Sequence, residues 1–269
     1  MLWEEIINIS KNKNYNIKQI FQEEMQKTIL TYLSREGVFN DIVFQGGTSL
    51  RLFYNNPRFS EDLDFVFKDK NKKINLLKKT RKLNKFVLNS YPFIEKIKIN
   101  DQKNDEKIQR IIFKTYSKNT YHKLRIQIEL ANVPSYKNEP KILNFPPLNP
   151  AIRVERLEEI LADKIIALCL RSYIKGRDIW DIYFLTNEKN IHIPWNLVYK
   201  KSNDYDSNPD EIKNKIKTVQ NNLKKEGVKS LENEMKRFLP PQLVEQYDQK
   251  FKIINNHVSK IIIETIGEK

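Results

Sequence analysis

Residues 41–67, DIVFQGGTSLRLFYNNPRFSEDLDFVF, constrain the fold more than any other stretch of the chain. Ile42, Val43 and Phe44 are β-branched or aromatic and read as a buried strand. The run ends on Gly46-Gly47, a pair that stands out because the chain holds only 6 glycines. Thr48-Ser49 then opens a short helix through Leu50, Leu52 and Phe53. After a polar loop, a second strand carries Asp62 and Asp64. Strand side chains alternate with a period of two, so both carboxylates share one face, roughly 6–7 Å apart. Leu63 and Phe65 take the other face.

That arrangement has a chemistry. A helix N-terminus offers unsatisfied N–H groups and partial positive charge, which suit a phosphate. Glycine lets the backbone approach it closely, and Thr48 or Ser49 can add a hydroxyl. Taken alone, such a turn is more often an ordinary capped turn. Two carboxylates on one strand face raise each other's pKa, and a shared Mg²⁺ or Mn²⁺ relieves that repulsion. Mg²⁺ takes oxygen ligands and keeps substrate phosphates in its shell. Two such ions about 3.5–4 Å apart clamp the oxygens of an in-line phosphoryl transfer. The bland alternative is a solvated strand face.

The rest of the chain supplies a setting. Residues 1–12 and 16–36 read as helices, the second with a stripe of Ile17, Ile20, Phe21, Met25, Ile29, Tyr32 and Leu33, an N-cap at Asn16 and a stop at Gly37. A helix is expected over 71–91 and strands over 93–99, 109–116 and 121–130, with the polar run 100–107 as a hairpin-like loop. In the third strand Leu124, Ile126, Ile128 and Leu130 share one face, which leaves Arg125, Gln127 and Glu129 on the other. Five prolines over 134–150 mark a connection and the best domain boundary. Helices are expected over 153–173, 178–186, 208–225, 228–238 and 240–265. The chain thus divides into an α+β domain, 1–150, on which the helices of 1–36 pack, and a helical domain, 151–269.

Within the helical part, Lys164 falls inside an apolar stripe of Leu157, Ile160, Leu161, Ala167 and Leu168. Either it snorkels past the core edge or it points into a site where an anion meets it. Asp178 and Asp181 lie three apart at the start of the next helix, with Arg177 four before Asp181. Carboxylates favour a helix N-terminus, and a local ion pair is the simplest reading.

Net charge is +14, from 48 Lys and Arg against 34 Asp and Glu, so an anionic partner is expected, nucleic acid first. The basic stretch 78–86 and the cations scattered through 199–237 could hold an RNA backbone, though such runs are commonly a solvated face. One cysteine, Cys169, rules out a disulfide framework. His122, His192 and His257 have no metal spacing, and no GxxxxGK[ST] occurs. No signal peptide and no run of about 18 apolar residues is visible, so a cytoplasmic protein without a membrane partner is expected.

GGTSL followed by RFSEDLDF resembles the GG[TS]…DxD signature of the DNA polymerase β-type nucleotidyltransferases. In detail it resembles the AbiEii/AbiGii toxin branch, whose GGT-x-L and R-x-S-x-DLDF runs are matched by Arg58, Ser60, Asp62, Leu63, Asp64 and Phe65. Residues 154–185 are similar to that branch's second block, a lysine-bearing helix followed by RDxxD. The resemblance implies a polymerase β-type domain with a mixed sheet, followed by a helical domain that completes the active site. It implies Mg²⁺-dependent transfer of a nucleoside monophosphate from an NTP to an acceptor. Asp62 and Asp64 would then hold metal, and Glu129 is the candidate for the third carboxylate such folds commonly carry. Gly46, Gly47 and Thr48 would cradle the phosphates, with Ser49 and Ser60 beside them. Arg58 and Lys164 would neutralise the triphosphate, and Asp181 or Asp178 would order Lys164 or act as a base. The acceptor implied is RNA, tRNA ends among the known cases. The biological setting implied is the toxin half of a type IV toxin–antitoxin or abortive-infection system, with an antitoxin encoded alongside. Two alternatives remain: a nucleotidyltransferase acting on a small molecule or protein side chain, and a non-catalytic NTP- or nucleic-acid-binding protein.

Overall fold

The structure, a computed structural model, describes residues 1–70 and 74–264. The first residues of the helix expected over 71–91 and the last of that over 240–265 lie outside the described residues. The chain forms two compact units, one made of Met1–Asn55 and Phe59–Glu155, the other of Asn56–Arg58 and the chain from Arg156 on.

In the first unit, α1 (Trp3–Lys13) and α2 (Ile17–Arg35) precede β1 (Ile42–Gln45), α3 (Gly46–Tyr54) and β2 (Leu63–Phe67). Two short helices follow, α4 (Leu76–Lys79) and α5 (Leu83–Ser90), and then β3 (Lys96–Asn104), β4 (Ile108–Tyr116), β5 (Arg125–Pro134), β6 (Asn138–Ile142) and β7 (Ala151–Glu155). Among the described residues the strands form one seven-stranded mixed sheet in the order β3-β4-β5-β2-β1-β7-β6. The pairs β2–β5 and β1–β7 are parallel and the others antiparallel. One face carries Leu63, Phe65, Ile111, Phe113, Ile126, Ile128 and Leu130, all buried. The stripe of α2 is buried as well, through Phe21, Met25, Ile29 and Leu33. Asn16 caps α2 as expected, its side chain accepting from the Lys18 N–H at 2.9 Å.

Several local expectations change. The polar run 100–107 is not all loop: β3 continues to Asn104, and the hairpin closes where the Asp105 carboxylate accepts the N–H groups of Lys107 and Ile108. β3 is an edge strand, and an edge strand needs no apolar alternation once its side chains meet water. The helix expected over 71–91 is broken between α4 and α5, where the Thr80 hydroxyl bonds back to the carbonyls of Leu76 and Leu77. The proline-rich segment is a hairpin in the sheet, with Pro140 on edge strand β6, where a missing N–H is tolerated. Residues 153–155, expected to open a helix, belong to β7. Their alternating pattern, Ile152 and Val154 buried, runs directly into the helix that follows.

The second unit contains α6 (Leu157–Leu170), α7 (Gly176–Tyr183), α8 (Trp195–Ser202), α9 (Pro209–Asn222), α10 (Val228–Phe238), α11 (Pro241–Tyr247) and α12 (Phe251–Glu264). α8 has no counterpart in the sequence reading, and the helix expected over 240–265 is divided at Asp248–Lys250. α7 lies so close to α10 that a Cβ on Gly176 would stand 2.3 Å from the Ser230 carbonyl oxygen. Lys201 of α8 is fully buried between Glu159 and Asp163 of α6, at 2.7 Å from each. A charge so placed is retained only because it is paired.

Candidate active site

The first cluster is built where β1 turns into α3. Gly46 has φ +79°, and a Cβ there would lie 2.8 Å from Oδ2 of Asp64. Both facts require glycine. They also place the Asp64 carboxylate against the backbone at the start of α3, the end of a helix that favours negative charge.

Asp62 stands one residue before β2, and its approach is held from three sides. Gln26 Nε2 donates to the Ser60 carbonyl at 2.9 Å, and Gln22 Nε2 to that of Glu61 at 2.9 Å. The Thr48 hydroxyl donates to the Asp62 carbonyl at 2.5 Å. Ser49 donates to the Gly46 carbonyl at 2.8 Å. Both hydroxyls, expected near phosphate, lie on fully buried side chains and are committed to the backbone. Thr48 thereby ties the Asp62 loop to α3. Ser60 takes part through its carbonyl.

Glu129 is the register partner of Asp64 in β5, and Gln45 is its partner in β1. Register partners on adjacent strands share a face, so Glu129 stands beside Asp64. Its carboxylate also accepts from Arg110, its partner on β4, at 2.6 Å and from Gln127 at 3.1 Å. Arg110 was not singled out in the sequence. Its place opposite the apolar face of QRIIFKTY was readable from alternation, but its pairing with Glu129 depends on register.

The second cluster lies within the helical unit. Asp181, fully buried, accepts from Arg58 Nε at 2.6 Å and Nη2 at 2.5 Å, from Asn56 Nδ2 at 2.9 Å and from Lys164 Nζ at 2.8 Å. Asp178 accepts from Lys164 at 3.0 Å and from Arg171. Trp180 Nε1 donates to Asn56 Oδ1 at 3.0 Å. Burial opposes ionisation of Asp181, yet Arg58 and Lys164 overrule it and hold the carboxyl down to about 2. Burial likewise disfavours the Lys164 ammonium, but Asp181 and Asp178 raise its pKa above the ordinary lysine value. Asp178 is lowered in the same way: desolvation works against its charge, and Lys164 and Arg171 outweigh it.

These contacts revise one expectation. Arg58 is 1% exposed, and its guanidinium grips Asp181 in a two-pronged pair, so it serves this network and does not fit the role of neutralising a triphosphate. Lys164 has three N–H donors. Among the described residues two are taken by Asp178 and Asp181. Asn56 and Arg171 were missed in the sequence, since nothing in NNP or in a helix-end arginine signals a partner over a hundred residues, or one helix, away.

Asp62, Asp64 and Glu129 offer carboxylate oxygens only, the donor type that suits Mg²⁺ or Mn²⁺, although among the described residues their oxygens do not all come within 4.8 Å of one another. No helix among the described residues is long and apolar enough to cross a membrane.

A family model described as nucleotidyl transferase AbiEii toxin, type IV TA system, matches residues 28–253. Among solved structures, JHP933 from Helicobacter pylori shares the fold at a TM-score of 0.57 and 20% identity, covering 93% of this chain and 96% of that one. A second H. pylori chain, described as a candidate nucleotidyltransferase, gives 0.57 and 21% over 93% of this chain and 98% of its own. No curated protein matches at a significant level.

Proposed function

This chain belongs to the AbiEii family of nucleotidyl transferase toxins, and from that premise we propose that it transfers a nucleoside monophosphate from an NTP to an RNA acceptor, tRNA being one candidate. An acceptor hydroxyl gives up its proton to solvent as its oxygen attacks the α-phosphorus, the bond to the bridging α–β oxygen breaks, and pyrophosphate leaves. The observation that carries this reading is the Asp64 carboxylate lying against Gly46 where α3 begins. A carboxylate and a helix N-terminus so close together suit a metal-bound triphosphate.

In this reading Asp62 and Asp64 hold a divalent ion, with Glu129 as a third oxygen donor from the neighbouring strand. The ion, when bound, supplies Lewis-acid stabilisation of the phosphoryl group. Gly46 and Gly47 admit the phosphates to the backbone, Thr48 fixes the Asp62 loop, and Arg110 holds the Glu129 carboxylate in place. Lys164 supplies positive charge to a phosphate while Asp178 and Asp181 orient it. Arg58 and Asn56 hold Asp181. The family also implies a cognate antitoxin and a role in toxin–antitoxin defence.

The test is incubation with total RNA, Mg²⁺ and each α-labelled NTP in turn. Label should enter RNA with at least one NTP and be lost in Asp64→Asn. Absence of transfer with every NTP, or transfer untouched by Asp64→Asn, refutes the mechanism. Label on a small molecule or on protein would replace the acceptor.

A further inference from the structure

The face of the sheet that carries Asp64 continues away from it as a row of cations. Lys98 of β3 is the register partner of Lys114 of β4, which is the partner of Arg125 of β5. Side chains in register share a face, so three positive charges stand side by side across three strands. By alternation along β4 and β5 they share the face of Arg110 and Glu129, and hence of Asp64. Lys96 and its partner Tyr116 lie beside them, with Lys98 Nζ 5.5 Å from the Tyr116 ring centre. Lys96, Lys98 and Arg125 are exposed, and Lys114 and Tyr116 half-buried. Among the described residues, none of these four cations has a carboxylate partner.

Like charges directly opposite each other destabilise a sheet. Protection of an edge strand with lysine accounts for Lys96 and Lys98, but Lys114 and Arg125 sit on inner strands. What relieves the repulsion is an anion laid across the row. The row spans about 10 Å at the usual strand spacing and lies four residues, about 13 Å, along β5 from Glu129. That is the width of a single polynucleotide strand, and Tyr116 offers a ring on which a base can stack.

We propose that this sheet face, centred on Lys98, Lys114 and Arg125 with Tyr116, is the docking platform for a single-stranded end of the acceptor RNA, leading it toward the Asp64 row. The assignment rests on the reading of the chain as an RNA-modifying nucleotidyltransferase. Its recognition is electrostatic and by stacking, and so tolerant of sequence.

Binding is measured without Mg²⁺ or NTP, by fluorescence anisotropy of a short labelled oligoribonucleotide over a salt series. Each phosphate contact on a single strand contributes about 0.7 to the slope of log K against log salt. The triple variant Lys98→Ala/Lys114→Ala/Arg125→Ala should therefore lower the slope by about 2. Between about 50 and about 200 mM salt the parent should lose about 20-fold more affinity than the variant. Tyr116→Ala should weaken binding with no change of slope. The control Lys11→Ala/Lys13→Ala/Lys252→Ala removes the same charge from exposed positions elsewhere and should leave both quantities unchanged. Thermal melting of the triple variant at or above the parent value establishes that it folds, as removal of a repulsive row requires; if it melts lower, the single variant Arg125→Gln carries the test with a slope change of about 0.7. An unchanged slope, an equal effect of the control, or displacement of RNA by polyglutamate at equal charge overturns the platform. Loss of RNA binding in the triple variant alongside failure of label transfer in the parent would leave the platform standing and remove the activity; unchanged RNA binding alongside intact transfer would do the reverse.

Discussion

Replacing Asp181 by Asn keeps the shape of the side chain and removes its charge from a fully buried site that receives Arg58, Lys164 and Asn56. Arg58 is then left as a buried cation whose carboxylate is gone. Breaking a buried pair in this way costs about 3–5 kcal/mol. For a chain of 269 residues the unfolding entropy is about 0.56 kcal/mol/K, so the melting point should fall by roughly 5–9 °C. Urea unfolding of Asp181→Asn, Arg58→Met and the double variant closes the cycle. The two losses should couple by at least about 2 kcal/mol, because the second change removes the charge that the first left stranded. Acidity gives an independent check. The Asp181 carboxyl titrates at about 2 in the folded chain, against about 3.9 unfolded. Its contribution, about 2–3 kcal/mol, is complete above pH 4 and lost as pH falls through 2. The stability gap between parent and Asp181→Asn should thus narrow over that window. A loss under about 1 kcal/mol at neutral pH, the value of an exposed ion pair, or additive single losses, would refute the network.

Three further outcomes are expected. Gly46→Ala should cost about 1–2 kcal/mol from its positive φ alone, and because its Cβ meets Asp64, nucleotide binding followed by calorimetry should be lost while far-ultraviolet dichroism stays native. Arg110→Gln frees Glu129 from a positive charge, so Mn²⁺ affinity of the nucleotide-free protein, read by electron paramagnetic resonance, should rise roughly five- to thirtyfold, as about 1–2 kcal/mol for a unit charge some 8 Å away implies; unchanged affinity would separate Glu129 from the metal. His122 lies against Trp3 and Phe93 at ring distances of 4.4 and 4.7 Å, with Nε2 buried. Desolvation lowers its pKa despite nearby groups that raise it, so the stability it confers is complete above pH 6.5 and falls as the medium becomes more acid, and His122→Phe should flatten urea midpoints measured between pH 7.5 and 5.5.

Local features were written in the chain alone. The strand, glycine turn and helix of 41–54 follow from apolar period, from the Gly-Gly pair and from a helix-forming run, and β2 was readable from alternation with Asp64 opposite Leu63 and Phe65, while Asp62 falls one residue before the strand. The same alternation put Glu129 opposite the core face of β5. The stripe around Lys164 and the two aspartates that follow were visible for the same reason, since spacing along one helix is written in the chain. Family membership was legible through those two blocks.

Tertiary structure decided everything that depends on segments meeting. The Glu129–Asp64 register, the arginine that neutralises Glu129, and the Lys98–Lys114–Arg125 row arise from strand pairing, and a one-residue slip would have sent each side chain to the opposite face. The proline-rich hairpin escaped notice because an edge strand carries little hydrophobic signal. The family resemblance assigns Arg58 to the triphosphate, and its pairing with Asp181 across more than a hundred residues is a buried contact whose existence only the packed helical unit reveals. Sequence fixes which side chains share a face; only the fold brings faces together, and charge pairing in the low-dielectric interior then selects the partners.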